Sequence, residues 1–205
     1  PPFAFRLHQF ISRGDMVYAT PQLPGNRHVT VHGQQYVPND RSRRLFPVVF
    51  CRECGQEYYL VHKITEGELE YIDSRDFNDL SSDEKVLAGY LFISDTNPWP
   101  RDEEAVLDRL PQEYIETSSG KRRVSKSRKK YIPTHVYVDA AGNISKNDGI
   151  DAAFIEASFR FCLNCGSSFN PRMKSDFTKL GSLATEGRSS ATTVLTASTV
   201  KHLRE

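Results

Sequence analysis

Four cysteines carry the clearest chemical signal in the chain. They occur as Cys51-Arg52-Glu53-Cys54-Gly55 and Cys162-Leu163-Asn164-Cys165-Gly166, two copies of C-x-x-C-G. In such a turn two thiolates aim at one centre from about 4 Å apart, which suits two corners of a tetrahedron around zinc at about 2.3 Å per Zn–S bond. Glycine after the second cysteine accepts a positive φ, so the backbone can curl and direct N–H groups at sulfur. Together the two knuckles offer Cys51, Cys54, Cys162 and Cys165 as a complete ligand set. Four thiolates leave no open position for water or substrate, so the expected Zn2+ is structural, not catalytic. Two disulfides would need an oxidising compartment. A thioredoxin-like pair uses one such motif, not two matched copies beside strands. An iron–sulfur cluster also takes four thiolates. Structural zinc is the reading that the spacing favours.

Residues Gly55 to Phe161 separate the knuckles, far more than the loop of a free-standing zinc ribbon. A metal here ties a late strand to an early one around a large insertion. A cross-link closing so long a loop constrains the unfolded chain strongly.

The second chemical feature is charge. From Glu66 to Glu116 there are 15 acids and 4 bases; from Thr117 to His135 there are 7 bases and no acid. The bases are Lys121, Arg122, Arg123, Lys126, Arg128, Lys129 and Lys130, mixed with serines and followed by Tyr131. Bases with serine suit phosphate contacts, and Tyr131 offers a ring for base stacking. The competing view is a solvated loop that balances the acidic region before it.

Other chemistry is missing from the sequence. There is no G-x-x-x-x-G-K-[ST] loop; Gly120-Lys121 runs into Arg122, with no strand expected before it. G-x-G-x-x-G and G-x-S-x-G are absent as well. His28 and His32 form the closest histidine pair and read as surface or packing residues. Asp102-Glu-Glu-Ala105 resembles a D-E-A-D box only by coincidence, since its last residue is wrong and no buried strand precedes it.

The elements that must position these residues are mostly short strands. His28–His32, a turn at Gly33 and Gln35–Val37 read as a hairpin. Leu45–Phe50 delivers Cys51, Glu57–Ile64 leaves the knuckle, and Leu69–Ile72 pairs with it across Glu66-Gly67. Phe154–Phe161 leads to Cys162, and Ser167–Phe169 leads away. Tyr90–Ile93 and Ile132–Val138 are further strands. Asp102 caps a short helix from Glu103 to Leu110, ended by Pro111, with Val106, Leu107 and Leu110 on one face. Ser189–Leu203 is helix-like, though its threonines also suit a strand.

With 205 residues and 23.3 kDa, the chain makes one ordinary domain or two small ones. It is polar, with 38% hydrophobic residues, yet 12 Phe and 9 Tyr argue against wholesale disorder. No apolar run is long enough to span a membrane, and Pro1–Phe10 lacks a secretory pattern, so a cytoplasmic protein is expected. The expected fold is α+β and β-rich, with a four-cysteine zinc-ribbon-like centre and a large insertion between its knuckles. Residues 1–50 form an N-terminal β-hairpin region, and 51–62 and 159–170 the two knuckles. Residues 63–158 form the insertion, with an acidic region at 66–116 and a basic loop at 118–131, and 171–205 a C-terminal connector.

Several strings also resemble a known family. Phe5-Arg-Leu-His-Gln-Phe-Ile-Ser-Arg-Gly14, Val17-Tyr-Ala19, Phe50-Cys-Arg-Glu-Cys-Gly-Gln-Glu-Tyr-Tyr59, Phe159-Arg-Phe-Cys-Leu-Asn-Cys-Gly166 and Gly187-Arg-Ser-Ser-Ala-Thr-Thr-Val-Leu195 look like one stretch of very large bacterial DEAD/DEAH-box helicases of superfamily two. Across Lys63–Asp151 only Asn97-Pro-Trp-Pro100 and the basic Arg122–Tyr131 region share the likeness. The resemblance implies a zinc-binding segment between two RecA-like motor domains, which would be its partners in the same chain. ATP and Mg2+ would bind in the parent chain, outside these residues, and no catalytic residue carries over. The metal role does carry over, to Cys51, Cys54, Cys162 and Cys165. Beside such a motor the basic strip is expected to meet a DNA or RNA backbone. The alternative from another class is a protein–protein interaction module that presents the acidic face and binds no nucleic acid.

Overall fold

The structure is a computed structural model that describes residues 16–170 and 175–182. The strings Phe5–Gly14 and Gly187–Leu195 and the helix-like Ser189–Leu203 lie outside the described residues, as does most of the 171–205 connector.

The described residues are β-rich, with fourteen strands and one α-helix. The strands are β1 (Val17–Ala19), β2 (Val29–Thr30), β3 (Tyr36–Val37), β4 (Asp40–Arg44), β5 (Phe46–Cys51), β6 (Glu57–Glu66) and β7 (Leu69–Ser74). After them come β8 (Val86–Phe92), β9 (Ile115–Ser118), β10 (Lys121–Val124), β11 (Thr134–Val138), β12 (Asn143–Ser145), β13 (Ile150–Glu156) and β14 (Leu180–Gly181). The helix is α1 (Glu103–Arg109).

Six strands close into a barrel in the order β6-β7-β12-β11-β13-β8, with β8 returning to β6. β6 is long enough to serve two neighbours on one edge. Its Glu57–Tyr59 end pairs with β5, and Val61–Glu66 pairs with β7. Its other edge takes β8 from Tyr59 to Ile64. Beyond β5 the sheet extends through β1 to β2, and β14 adds to β5.

Alternation along the wall strands explains their near-continuous apolar runs. Successive side chains point to opposite faces. Val61, Ile72, Leu91, Val136, Val138, Ala152 and Phe154 share one buried cluster with Phe46, Val48 and Tyr59. Tyr58, Leu60, Tyr90, Phe92, Ala153 and Ile155 face the other way, into a second cluster with Val49, Cys51 and Cys162. Strands buried on both faces cannot afford a polar side, so Tyr58-Tyr-Leu-Val61 and Tyr90-Leu-Phe-Ile93 are apolar throughout. The second cluster is roofed by α1 through Leu107 and Leu110. Asp102 starts α1 as expected, accepting from the N–H groups of Glu104 at 3.1 Å and Ala105 at 3.0 Å.

Three local expectations are corrected. The hairpin is not His28–His32 with Gln35–Val37: β2 pairs with β1, and β3 pairs with β4 around Pro38-Asn39. Asn39 takes the left-handed conformation at φ 63°, which one of the few residue types tolerant of that region can supply. The strand expected over Phe154–Phe161 stops at Glu156, because the chain must leave the barrel wall to reach the second knuckle. The basic segment is not all loop, and a strand does lead into Gly120-Lys121. β9 and β10 form a hairpin across Ser119-Gly120, whose positive φ angles of 53° and 76° match a two-residue turn. That strand leads to a second strand, not to a helix, so the site is still not a phosphate loop.

Candidate metal centre

The barrel wall brings the two knuckles together. β5 ends at Cys51, and β6 departs from the same knuckle towards the barrel. The second knuckle is shaped by a bridge between Phe161 and Ser168 on either side of it. Both turns repeat one hydrogen-bond plan. Cys51 N–H donates to Gln56 O at 2.8 Å and Cys162 N–H to Ser167 O at 2.9 Å; Gly55 N–H donates to Cys51 O at 2.8 Å and Gly166 N–H to Cys162 O at 3.0 Å. Gly55 and Gly166 sit at φ 76° and 73°, the left-handed turn that the glycine after each C-x-x-C permits.

The four sulfurs converge within 4.8 Å of one another, and those of Cys54 and Cys162 are 3.7 Å apart. A tetrahedron of about 2.3 Å Zn–S bonds sets its sulfurs about 3.8 Å apart, so the cluster fits one ion of that size. Cys51 and Cys162 are buried against the core, while Cys54 and Cys165 form the exposed rim. The N–H groups of Glu53 and Cys54 address the Cys51 sulfur, those of Asn164 and Cys165 address Cys162, and that of Gln56 addresses Cys54. Between the thiols, a hydrogen bond from Cys162 holds Cys51 below the ordinary thiol range, and the same bond pushes Cys162 up to about 12. Desolvation raises Cys54. A cation among the sulfurs must displace these protons before it is ligated.

Outer partners hold the ligands in place, and sequence reasoning missed them. The Tyr58 hydroxyl accepts from Leu163 N–H at 2.8 Å and lies within hydrogen-bond reach of the Cys162 sulfur, at 3.2 Å. Burial, then the neighbouring Cys162, keeps Tyr58 protonated far above the usual phenol range. The Asn164 amide reaches the Cys54 sulfur at 3.8 Å and is itself held by Asn97 at 2.8 Å. Asn97 belongs to the Asn97-Pro-Trp-Pro100 string, whose Trp99 is buried 6.2 Å from Phe161 and covered by the Arg109 guanidinium at 5.1 Å. Arg109 also donates to the Leu163 carbonyl inside the second knuckle. Tyr58, Asn97 and Asn164 all lie in strings that carry the family resemblance, but no residue spacing marked them as partners of the sulfurs.

Tyr58→Phe is expected to cost about 1–2 kcal/mol of stability, since it leaves Leu163 N–H without its acceptor in the core. Metal affinity is expected to fall by about 10- to 100-fold, the usual effect of losing an outer partner. Competition against a chromogenic chelator, together with thermal unfolding, measures both. Unchanged metal affinity would show that the hydroxyl does not support Cys162.

The basic residues do not form one uniform surface. Arg122 pairs with Asp108 at 2.7 Å and Arg123 with Glu116 at 2.8 Å, so the hairpin is partly neutralised by the acidic region. Lys121 is exposed at the start of β10. Among the described residues, Lys121, Lys126, Arg128, Lys129 and Lys130 make no ion pair with a carboxylate. Tyr131 is not an open stacking platform: the Arg160 guanidinium lies 3.6 Å from its ring centre and the Lys130 ammonium 4.9 Å. Arg160 precedes Cys162 by two positions and escaped sequence reasoning because no other base accompanies it locally.

No protein-family model, curated protein or solved structure matches the chain. No described helix is long and apolar enough to cross a membrane.

Proposed function

We propose that this chain is a structural zinc module of a nucleic-acid-handling protein, of the kind found between the two RecA-like motor domains of large DEAD/DEAH-box helicases. The observation that carries the reading is the meeting of two matched C-x-x-C-G knuckles at one four-sulfur centre. Sulfur spacing suited to a single ion favours Zn2+ over an iron–sulfur cluster, whose several irons would spread the ligands further apart. With four thiolates the ion has a full shell, so its contribution is to fold and hold this segment. Thiols in this role suit the reducing cytoplasm. ATP and Mg2+ chemistry belongs to the motor domains of the parent chain.

The nucleic-acid part of the reading rests on the five strip cations that, among the described residues, pair with no carboxylate. Cations without a carboxylate partner can release counterions from a DNA or RNA backbone, which gives affinity without sequence readout. That suits a translocating motor, which must pass over every sequence. A mobility-shift assay at about 50 and 200 mM salt tests it, because such binding falls steeply with salt. The zinc-loaded protein is expected to shift a DNA or RNA oligonucleotide at the lower salt and to release it at the higher. Replacing Lys126, Arg128, Lys129 and Lys130 together by Ala is expected to abolish the shift. A wild type that binds nothing at low salt would instead favour the protein-interaction module.

A further inference from the structure

Two of the strip cations, Arg128 and Lys130, gather with Arg160 around two tyrosines beside the second knuckle. The Arg160 guanidinium stacks 3.6 Å from the centre of the Tyr131 ring, Lys130 approaches the same ring at 4.9 Å, and Arg128 lies 5.3 Å from the centre of Tyr114. Arg160 also acts on Tyr114, so the three cations address one patch. Glu113 is the acid that faces this patch. Among the described residues, neither it nor any other carboxylate pairs with Arg128, Lys130 or Arg160.

Like charges gathered on one patch repel one another. An anion between them relieves that repulsion. The backbone that carries two of these cations, Lys130 and Arg160, is held in place. Tyr131 closes a short 3-10 turn over Lys129–Tyr131. Arg160 is anchored by its own carbonyl, which accepts Phe169 N–H at 2.8 Å, within the bridge that frames the second knuckle. A guanidinium stacked on a ring keeps its N–H edge free for a bidentate phosphate contact.

We propose that Arg160, Lys130 and Arg128, organised by Tyr131 and Tyr114, form the phosphate-contact site of this module for a single nucleic-acid strand. The inference rests on the nucleic-acid reading above and sharpens it. Affinity centres on a residue next to the metal knuckle, not on the hairpin bases Arg122 and Arg123, whose charges are already paired. The single strand is favoured because the cluster is one compact patch with a guanidinium plane at its centre, and among the described residues no α-helix that could enter a groove carries it.

Fluorescence anisotropy on the zinc-loaded protein tests the site. The probes are a labelled oligo-dT strand, its duplex, and polyglutamate of matched length. Arg160→Ala and Lys130→Ala are each expected to weaken oligo-dT binding about five- to tenfold and to reduce the slope of log affinity against log salt by about 0.7. Arg122→Ala is expected to change affinity less than twofold. Metal content and unfolding temperature, measured on each variant, separate a lost contact from a lost fold. Wild-type binding that survives Arg160→Ala and Lys130→Ala unchanged, and falls instead with Arg122→Ala, overturns this site but leaves the nucleic-acid reading standing. Equal affinity for polyglutamate and oligo-dT assigns the patch to an acidic protein segment and overturns it as a nucleic-acid site. Tighter binding of the duplex overturns the single-strand assignment. No binding of any probe at about 50 mM salt overturns both this site and the broader reading.

Discussion

Cys162→Ser, or removal of the metal with a strong chelator, is expected to lower stability by about 4–5 kcal/mol, the loop-closure value for a cross-link spanning about 100 residues. Cys162 is the natural choice for the substitution. It is buried, its sulfur lies 3.7 Å from that of Cys54, and Tyr58 contacts it directly. Serine there leaves three thiolates and a core hydroxyl in place of a soft ligand. The loss is expected to be uneven. The barrel keeps its own cluster around Val61, Ile72, Leu91 and Phe154, while the cluster shared with Cys51 and Cys162 loses its fastening. Hydrogen exchange should therefore accelerate first at the knuckles and at β14, and least in β7, β11 and β12. Native mass spectrometry should count one metal ion on the wild type and none on the variant. A wild type that carries no metal, or a variant with unchanged unfolding and exchange, would remove the structural role of the centre.

The second large effect is expected at a buried ion pair away from the cysteines. Lys179 and Asp176 are 2% and 3% exposed, and the Lys179 ammonium lies 2.7 Å from Asp176 Oδ1 and 2.8 Å from the Phe159 carbonyl. Asp176 Oδ2 accepts the Tyr90 hydroxyl at 2.6 Å and Phe159 N–H at 2.8 Å. Burial, and then the Asp176 charge, keeps the Tyr90 hydroxyl protonated and able to donate. Asp176→Ala strands an ammonium in the core and is expected to cost about 3–5 kcal/mol in urea unfolding. Combining it with Lys179→Met should recover most of that loss, since the uncompensated charge is gone. Metal affinity should fall with the single variant as well. The Lys179 carbonyl accepts Arg52 N–H at 3.1 Å and Leu180 pairs with Cys51, so this segment buttresses the first knuckle. A single variant as stable as the wild type would mean that the pair contributes nothing to holding the return segment.

How much of this was legible in the sequence varies by residue. The four-cysteine cluster was legible almost whole, because each half is written within five residues: two thiols at fixed spacing and a glycine for the left-handed turn. The Asp102 cap and the β6–β7 hairpin were legible for the same reason. The barrel was not. Its closure depends on β6 meeting β8 and on β7 meeting β12, pairings between segments that carry no local mark of each other. The basic strip was legible as composition only. Arg122 met Asp108 because α1 and the β9–β10 hairpin came to lie side by side, whereas Arg123 meets Glu116 directly across the hairpin itself.

By itself the sequence determined the ligands, their turns, the apolar wall strands and the sign of the charge on each stretch, since these follow from backbone geometry and solvation over a few residues. Tertiary structure alone decided that Tyr58 and Asn164 would support the sulfurs, that Arg160 would join the basic strip, and that Lys179 could be buried. Each of those outcomes needs partners brought from distant parts of the chain, and their proximity follows only from the collective packing of the whole barrel.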